Sequence, residues 1–141
     1  VIPTGVPVHR ALSGCADADT RLKWVRRVFA GEPHVQVQDW ETRRRQPTAT
    51  LYTLQYINRR YPQVFPVLLL GADAFAAIES WVGYPQHRRL CDVAVFPRAG
   101  QAMPVIDGWQ PVAADTWQQA RGAGHVMSVN AALPDISATR L

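Results

Sequence analysis

Cysteine is scarce in this chain: Cys15 and Cys91 are far apart and belong to no CxxC or Cys/His cluster. That excludes a disulfide framework and leaves no zinc signal, so both read as structural or incidental thiols. No apolar run approaches the roughly 20 residues of a membrane-spanning helix. Nor does any segment have the charged, apolar and small-residue order of a signal peptide. A cytoplasmic location and no membrane partner are expected. Also missing are a GxSxG nucleophile motif, a metal-ligating helix and a Walker phosphate loop, so hydrolytic triads, zinc chemistry and P-loop NTPase activity are poorly supported. Charged residues make up only 18% against 48% hydrophobic, which places the chain with folded rather than disordered proteins.

The 141 residues amount to one domain's worth of chain. The net charge of +4 comes almost wholly from arginine, clustered as Arg26-Arg27, Arg43-Arg44-Arg45, Arg59-Arg60 and Arg88-Arg89. Such clusters invite phosphate-bearing partners, although solvated helix faces explain dispersed arginines more often than binding sites do.

The stretch that organises the rest is VLLLGADAFAAIESW, Val67 to Trp81. Val67 to Leu70 reads as a strand buried on both faces of a parallel sheet. Gly71 permits a tight turn, and Asp73 is placed to cap a helix carrying Phe75, Ala76, Ala77, Ile78 and Trp81. In open α/β sheets ligands bind beyond the carboxyl ends of strands, where Gly71 and Asp73 would lie. The competing reading makes Asp73 only a cap and Trp81 only core.

Around this centre, Val1-Ile2-Pro3 reads as a strand end running into a loop closed by His9 and Arg10. A helix follows over Asp17 to Ala30, with Leu22, Val25, Val28 and Phe29 at helical spacing. Val35 to Trp40 alternates like a half-exposed strand, and Glu41 to Gln46 is a basic loop. A second helix spans about Thr50 to Arg60, with Leu51, Leu54, Ile57 and Tyr61 inward. A short helix near Gln86 to Leu90 precedes a buried strand, Val93 to Phe96. Gln101 to Pro111 is irregular, Asp115 to Arg121 suggests a short helix, and His125 to Val129 a last strand. The alternation predicts an α/β fold, a Rossmann-like doubly wound parallel sheet with right-handed crossovers. The chain also reads as a fragment of a larger domain, truncated at both ends.

The loops after the strands carry phosphate-binding side chains: His9 and Arg10, then Arg98, then Ser137 and Thr139, around Asp73. The segments VIPTGVPVHR, ETRRRQPTATLYTL, LLLGADAFAAIESW, VAVFPRAG and ISATRL, in this order, resemble those of bacterial nicotinate-nucleotide adenylyltransferases of the nucleotidyltransferase superfamily. The resemblance covers nearly the whole chain. It implies transfer of an adenylyl group from ATP to nicotinate mononucleotide, giving nicotinate adenine dinucleotide and pyrophosphate, with Mg2+ as cofactor and no metal ligand assigned in this chain.

For individual residues, the resemblance implies that Trp81 stacks on the pyridine ring and that the backbone amides of Thr50 and Val82 receive the nicotinate carboxylate. Asp73 would make a ribose or metal-associated contact, and Gly71 would lie beside the ATP. Arg98 would contact the mononucleotide phosphate. His9 and Arg10 would face the triphosphate, with Arg10 the catalytic residue of this chain, and Ile136, Ser137 and Thr139 would cap the phosphates. The family's H-x-G-H segment, with its principal histidines, would precede Val1. Ala49, Tyr52 and Val8 depart from the family's usual tyrosine, polar residue and proline. The partners implied are ATP and nicotinate mononucleotide, with no nucleic acid, and with a homo-oligomer left open. The alternatives are a related nucleotidyltransferase with another acceptor, such as pantetheine phosphate or nicotinamide mononucleotide, and a non-catalytic nucleic-acid-binding module.

Overall fold

A computed structural model describes residues 1–8, 14, 16–97, 101–120 and 122–131. They fall into two compact units, Val1–Thr53 and a second that begins at Leu54.

The first unit is built on α1 (Ala18–Val28). Asp17 caps it: its carboxylate accepts from the Thr20 amide at 2.7 Å and from the Thr20 hydroxyl at 3.1 Å, which holds its carboxyl below the usual range. Arg21 of this helix donates to the carbonyls of Ala16 at 3.1 Å, Gly5 at 2.8 Å and Thr4, so one side chain fastens the proline-containing opening segment. No described residue of that segment is in a strand; Val6 makes only an isolated parallel bridge with Pro47. Pro3 and Pro7 have no amide to offer a ladder.

Two further expectations fail in this unit. Val28 is 72% exposed and only Leu22 of α1 is buried, because Val28 lies in the last turn, beyond the stretch that packs. Val35 to Trp40 forms no strand: Gln38 donates to Val1 at 2.9 Å, and Asp39 and Trp40 are drawn into α2 (Trp40–Arg43). A two-residue alternation makes a strand only where a ladder meets it.

Glu41 of α2 is buried and accepts the Thr53 hydroxyl at 2.6 Å. Burial pushes its carboxyl up, against the opposing pull of the Thr53 hydroxyl and the Gly5 amide. Gly5 is required by close approach, since a Cβ there would stand 2.1 Å from the Glu41 carbonyl oxygen. The helix α3 (Thr50–Arg60) then begins, with Leu51 buried.

The second unit contains a wholly parallel four-stranded sheet: β1 (Val67–Gly71), β2 (Asp92–Phe96), β3 (Gln110–Pro111) and β4 (His125–Ser128), in the order β1-β2-β4-β3. With its flanking helices this is the Rossmann-like α/β fold that the alternation predicts. β2 is central and buried on both faces, as its run of apolar residues requires. β1 is not: it lies at the sheet's edge, with Leu68 and Leu70 packed on the core and Leu69 66% exposed. A run of three leucines hides the two-residue alternation.

After Gly71 come α4 (Ala72–Ala76) and single 3-10 turns at Ile78–Ser80 and Gln86–Arg89. Phe75, Ile78, Cys91, Val93 and Val95 are fully buried, each contributing about 1.5 to 3 kcal/mol if apolar and fully transferred from water. Trp109 meets Phe75 edge to face at 5.8 Å. At the amino ends of the strands the Asp92 carboxylate, 3% exposed, accepts the His125 amide at 2.9 Å and the Trp117 indole at 2.8 Å, and lies 3.1 Å from His125 Nδ1. Trp117 belongs to the 3-10 turn Trp117–Gln119, which replaces the expected helix. No helix of the described residues is long and apolar enough to cross a membrane.

Candidate functional site

The carboxyl end of β1 delivers Gly71 directly to α4. Gly71, not Asp73, is the residue preceding that helix, and no side chain caps it. The helix starts two residues earlier than a cap at Asp73 implies, so Asp73 lies inside its first turn, where a carboxylate still favours the positive end of the peptide dipoles. Asp73 is exposed, and its Oδ1 accepts from Gln101 Nε2 at 2.8 Å. Gln101 was not singled out by the sequence, because no local pattern joins positions 28 residues apart.

The chain runs on through Ile78–Ser80 to Trp81, whose amide donates to Ile78 at 3.0 Å. Trp81 is half-buried and packs against the core, so it is held rather than free. Its carbonyl accepts the Tyr84 amide at 3.1 Å, closing a turn in which Gly83 has φ +82°. Val82, 39% exposed, sits in that turn beside the indole. A half-buried indole next to a tight exposed turn offers a flat apolar face together with backbone amides, the pairing that a planar ring bearing an anion requires.

Behind Trp81 stands His87, a residue that its polar neighbours in QHRR disguise as surface. It is fully buried, its ring meets the Trp81 ring edge to face at 5.9 Å, and neither ring nitrogen has a hydrogen-bond partner. Desolvation pushes the imidazole below its ordinary value, so it is neutral at pH 7. Cys91 is buried nearby in sequence, and burial, aided by the Asp92 charge, pushes its thiol up to about 12. That chemistry suits an inert core thiol.

In the first unit Thr50 is half-buried and opens α3. The first amides of an α-helix have no intrahelical partner, which leaves that of Thr50 able to meet an anion. His9, Arg10, Arg98, Ile136, Ser137 and Thr139, expected at the site from the sequence, lie outside the described residues. The structure thus brings Gly71 and Asp73 together at the β1 exit and Trp81 and Val82 together in the following turn. Among the described residues no group of three or more His, Cys, Asp or Glu side chains is arranged to hold a metal ion.

No protein-family model matches the chain. Curated proteins do. A Geotalea daltonii protein named probable nicotinate-nucleotide adenylyltransferase is 30% identical over 149 residues, covering 99% of this chain and 69% of its own length. A Chromobacterium violaceum protein of the same name is 32% identical over 149 residues, covering 100% of this chain and 69% of its own. One from Dehalococcoides mccartyi is 35% identical over 107 residues, which is 75% of this chain and 52% of the relative. The chain therefore spans about half to two thirds of the length of the relatives it matches. The parallel α/β sheet, the strand exit at Gly71 and alignments at 30 to 32% identity that cover 99 to 100% of the chain converge on one assignment: this chain belongs to the nicotinate-nucleotide adenylyltransferase family.

Proposed function

We propose that the protein transfers the adenylyl group of ATP to nicotinate mononucleotide, releasing pyrophosphate. The observation that carries this reading is the held indole of Trp81 beside the exposed turn at Val82. The indole gives a pyridine ring a face to stack on, and the Val82 amide gives its carboxylate a donor. Nicotinamide mononucleotide brings the same ring without the charge, so the site favours the acid.

The reaction is an in-line attack of the mononucleotide phosphate on the α-phosphorus of ATP. The protein's part is to position both phosphates and to offset the charge that grows on the leaving pyrophosphate. Thr50, Arg98, His9, Arg10, Ile136, Ser137 and Thr139 are the further contacts in this proposal. Gly71 leaves room beside the β1 exit for the nucleotide. Mg2+ fits what the exit offers: a lone exposed carboxylate, Asp73, suits an ion that keeps most of its coordination sphere for water and phosphate oxygens. Bound there, it would supply neutralisation of phosphate charge. We propose a cytoplasmic setting for this chemistry, where both substrates are found.

Calorimetric titration with nicotinate mononucleotide, against nicotinamide mononucleotide as control, tests the reading. Binding of the acid form with at least tenfold preference, lost in Trp81→Ala, is the expected result. Equal binding of both, or an affinity unchanged by Trp81→Ala, would assign the turn to another acceptor.

A further inference from the structure

Arg88 follows His87 in the 3-10 turn Gln86–Arg89 and is held from several sides. Its guanidinium lies over the Tyr84 ring at 5.5 Å and donates to the Asp107 carbonyl through a long bond of 3.4 Å. Gly108, at φ +78°, passes so close that a Cβ there would fall 1.3 Å from Arg88 Nη1, and Gly124, at φ +91°, would bring a Cβ to 3.0 Å from the Arg88 carbonyl oxygen. Two left-handed glycines thus make room for one arginine. The fork has five donors, of which the Asp107 bond engages one. Among the described residues Arg26 and Arg43 each form an ion pair with Asp39, and neither Arg88 nor Arg89 lies within ion-pair distance of a carboxylate.

A half-buried, immobilised guanidinium normally meets a carboxylate. Here it faces instead a cleft of about 410 Å3 lined by Gln86, Arg88, Arg89, Gly108 and Gly124. Arg89 is exposed at its mouth, adding a second cation. The cleft lies at the amino ends of β2 and β4, the opposite end of the sheet from Gly71, separated from it by about 16 Å of strand.

We propose that this cleft is a second ligand site, one that binds a small oxyanion of the phosphate class through the Arg88 fork and the Arg89 charge. Preorganisation of Arg88 removes most of the ordering cost that an exposed arginine would incur on binding. The Asp107 carboxylate, next to the carbonyl that Arg88 meets, opposes a dianion and limits affinity. The oxyanion is either free phosphate or pyrophosphate, or the phosphate of a nucleotide; the same chemistry recognises each.

The test is amide NMR of the 15N-labelled chain titrated with potassium phosphate at constant ionic strength, chloride making up the balance. Saturable shifts of the Gly108 and Gly124 amides and of the Arg88 Nε are expected, weakened about tenfold in Arg88→Met and about fivefold in Arg89→Gln. Arg89 is exposed, so its variant keeps the fold and the test stands even if Arg88→Met does not. Shifts around Gly71 report separately on phosphate bound at the strand exits. Parallel titrations with pyrophosphate and with AMP decide the source, the tighter ligand naming it. Absence of a saturable shift at Gly108 and Gly124, or an affinity unchanged by Arg89→Gln, overturns the proposal.

Discussion

Replacing His87 with leucine should make the protein more stable. A neutral imidazole carries one donor and one acceptor, and both are buried here without partners. Each unsatisfied group costs about 1 to 3 kcal/mol. Leucine is of similar volume and removes both costs, but forfeits the edge contact with Trp81, worth about 0.5 to 1.5 kcal/mol. Two such costs less the lost contact leave a net gain at pH 7.5 of about 0.5 to 5.5 kcal/mol. The pH dependence adds an independent check. The unfolded imidazole titrates near 6.5 and the folded one lower, so the unfolded chain binds the extra proton first as the pH falls. Wild-type stability is intact above pH 6.5 and declines as the pH drops from there toward the folded value; the leucine variant lacks this decline. Urea unfolding followed by circular dichroism at pH 7.5, 6.5 and 5.5 measures both effects. A leucine variant that is less stable at pH 7.5, or that loses stability with acid as steeply as the wild type, would refute the account of His87.

Three further outcomes follow from the first unit and from the core. Thr53→Val removes the hydroxyl that supports the buried Glu41 carboxylate and should cost about 1.5 to 3 kcal/mol at pH 7.5. Because burial raises the Glu41 carboxyl, stability falls as the pH rises from 4.5 through the folded value, so urea midpoints should show a smaller deficit near pH 4. Gly5→Ala places a methyl against the Glu41 carbonyl and should cost about 3 kcal/mol or more, read as a lowered thermal midpoint. In a Cys15→Ser chain, a thiol reagent at pH 8 should find Cys91 unreactive until denaturant is added, since a thiol at about 12 is ionised in only about one molecule in ten thousand.

The strand exit at Gly71 and the helix start after it were legible because an apolar run and a glycine act locally, and β2 and β4 were legible for the same reason; the helix expected to carry Ile78 and Trp81 instead ends at Ala76, with Ile78 in a 3-10 turn and Trp81 beyond it. What escaped was set by distant partners. Leucines at 68, 69 and 70 carry no information on which one faces out, and the alternation at Val35 to Gln38 says nothing about whether a ladder will receive it. His87 sits among polar neighbours, yet the packing of Trp81 and the core decides its burial. For the candidate site, the position of Gly71 and Asp73 at a strand exit could be read from sequence and Val82 came only through the family resemblance, whereas the bond from Gln101 to Asp73 depends on a loop that only the fold returns to the β1 exit.

The Asp92 carboxylate also works as a registration pin. It engages the amide and ring of His125, directly ahead of the paired residues Val93 and Val126. Sliding β4 by one residue along β2 would strip both contacts from a buried acid and turn Val126 and Met127 to the wrong faces at the same time. Two penalties of different origin thus exclude the same misalignment, so this central strand pair has one alignment at which to zip up.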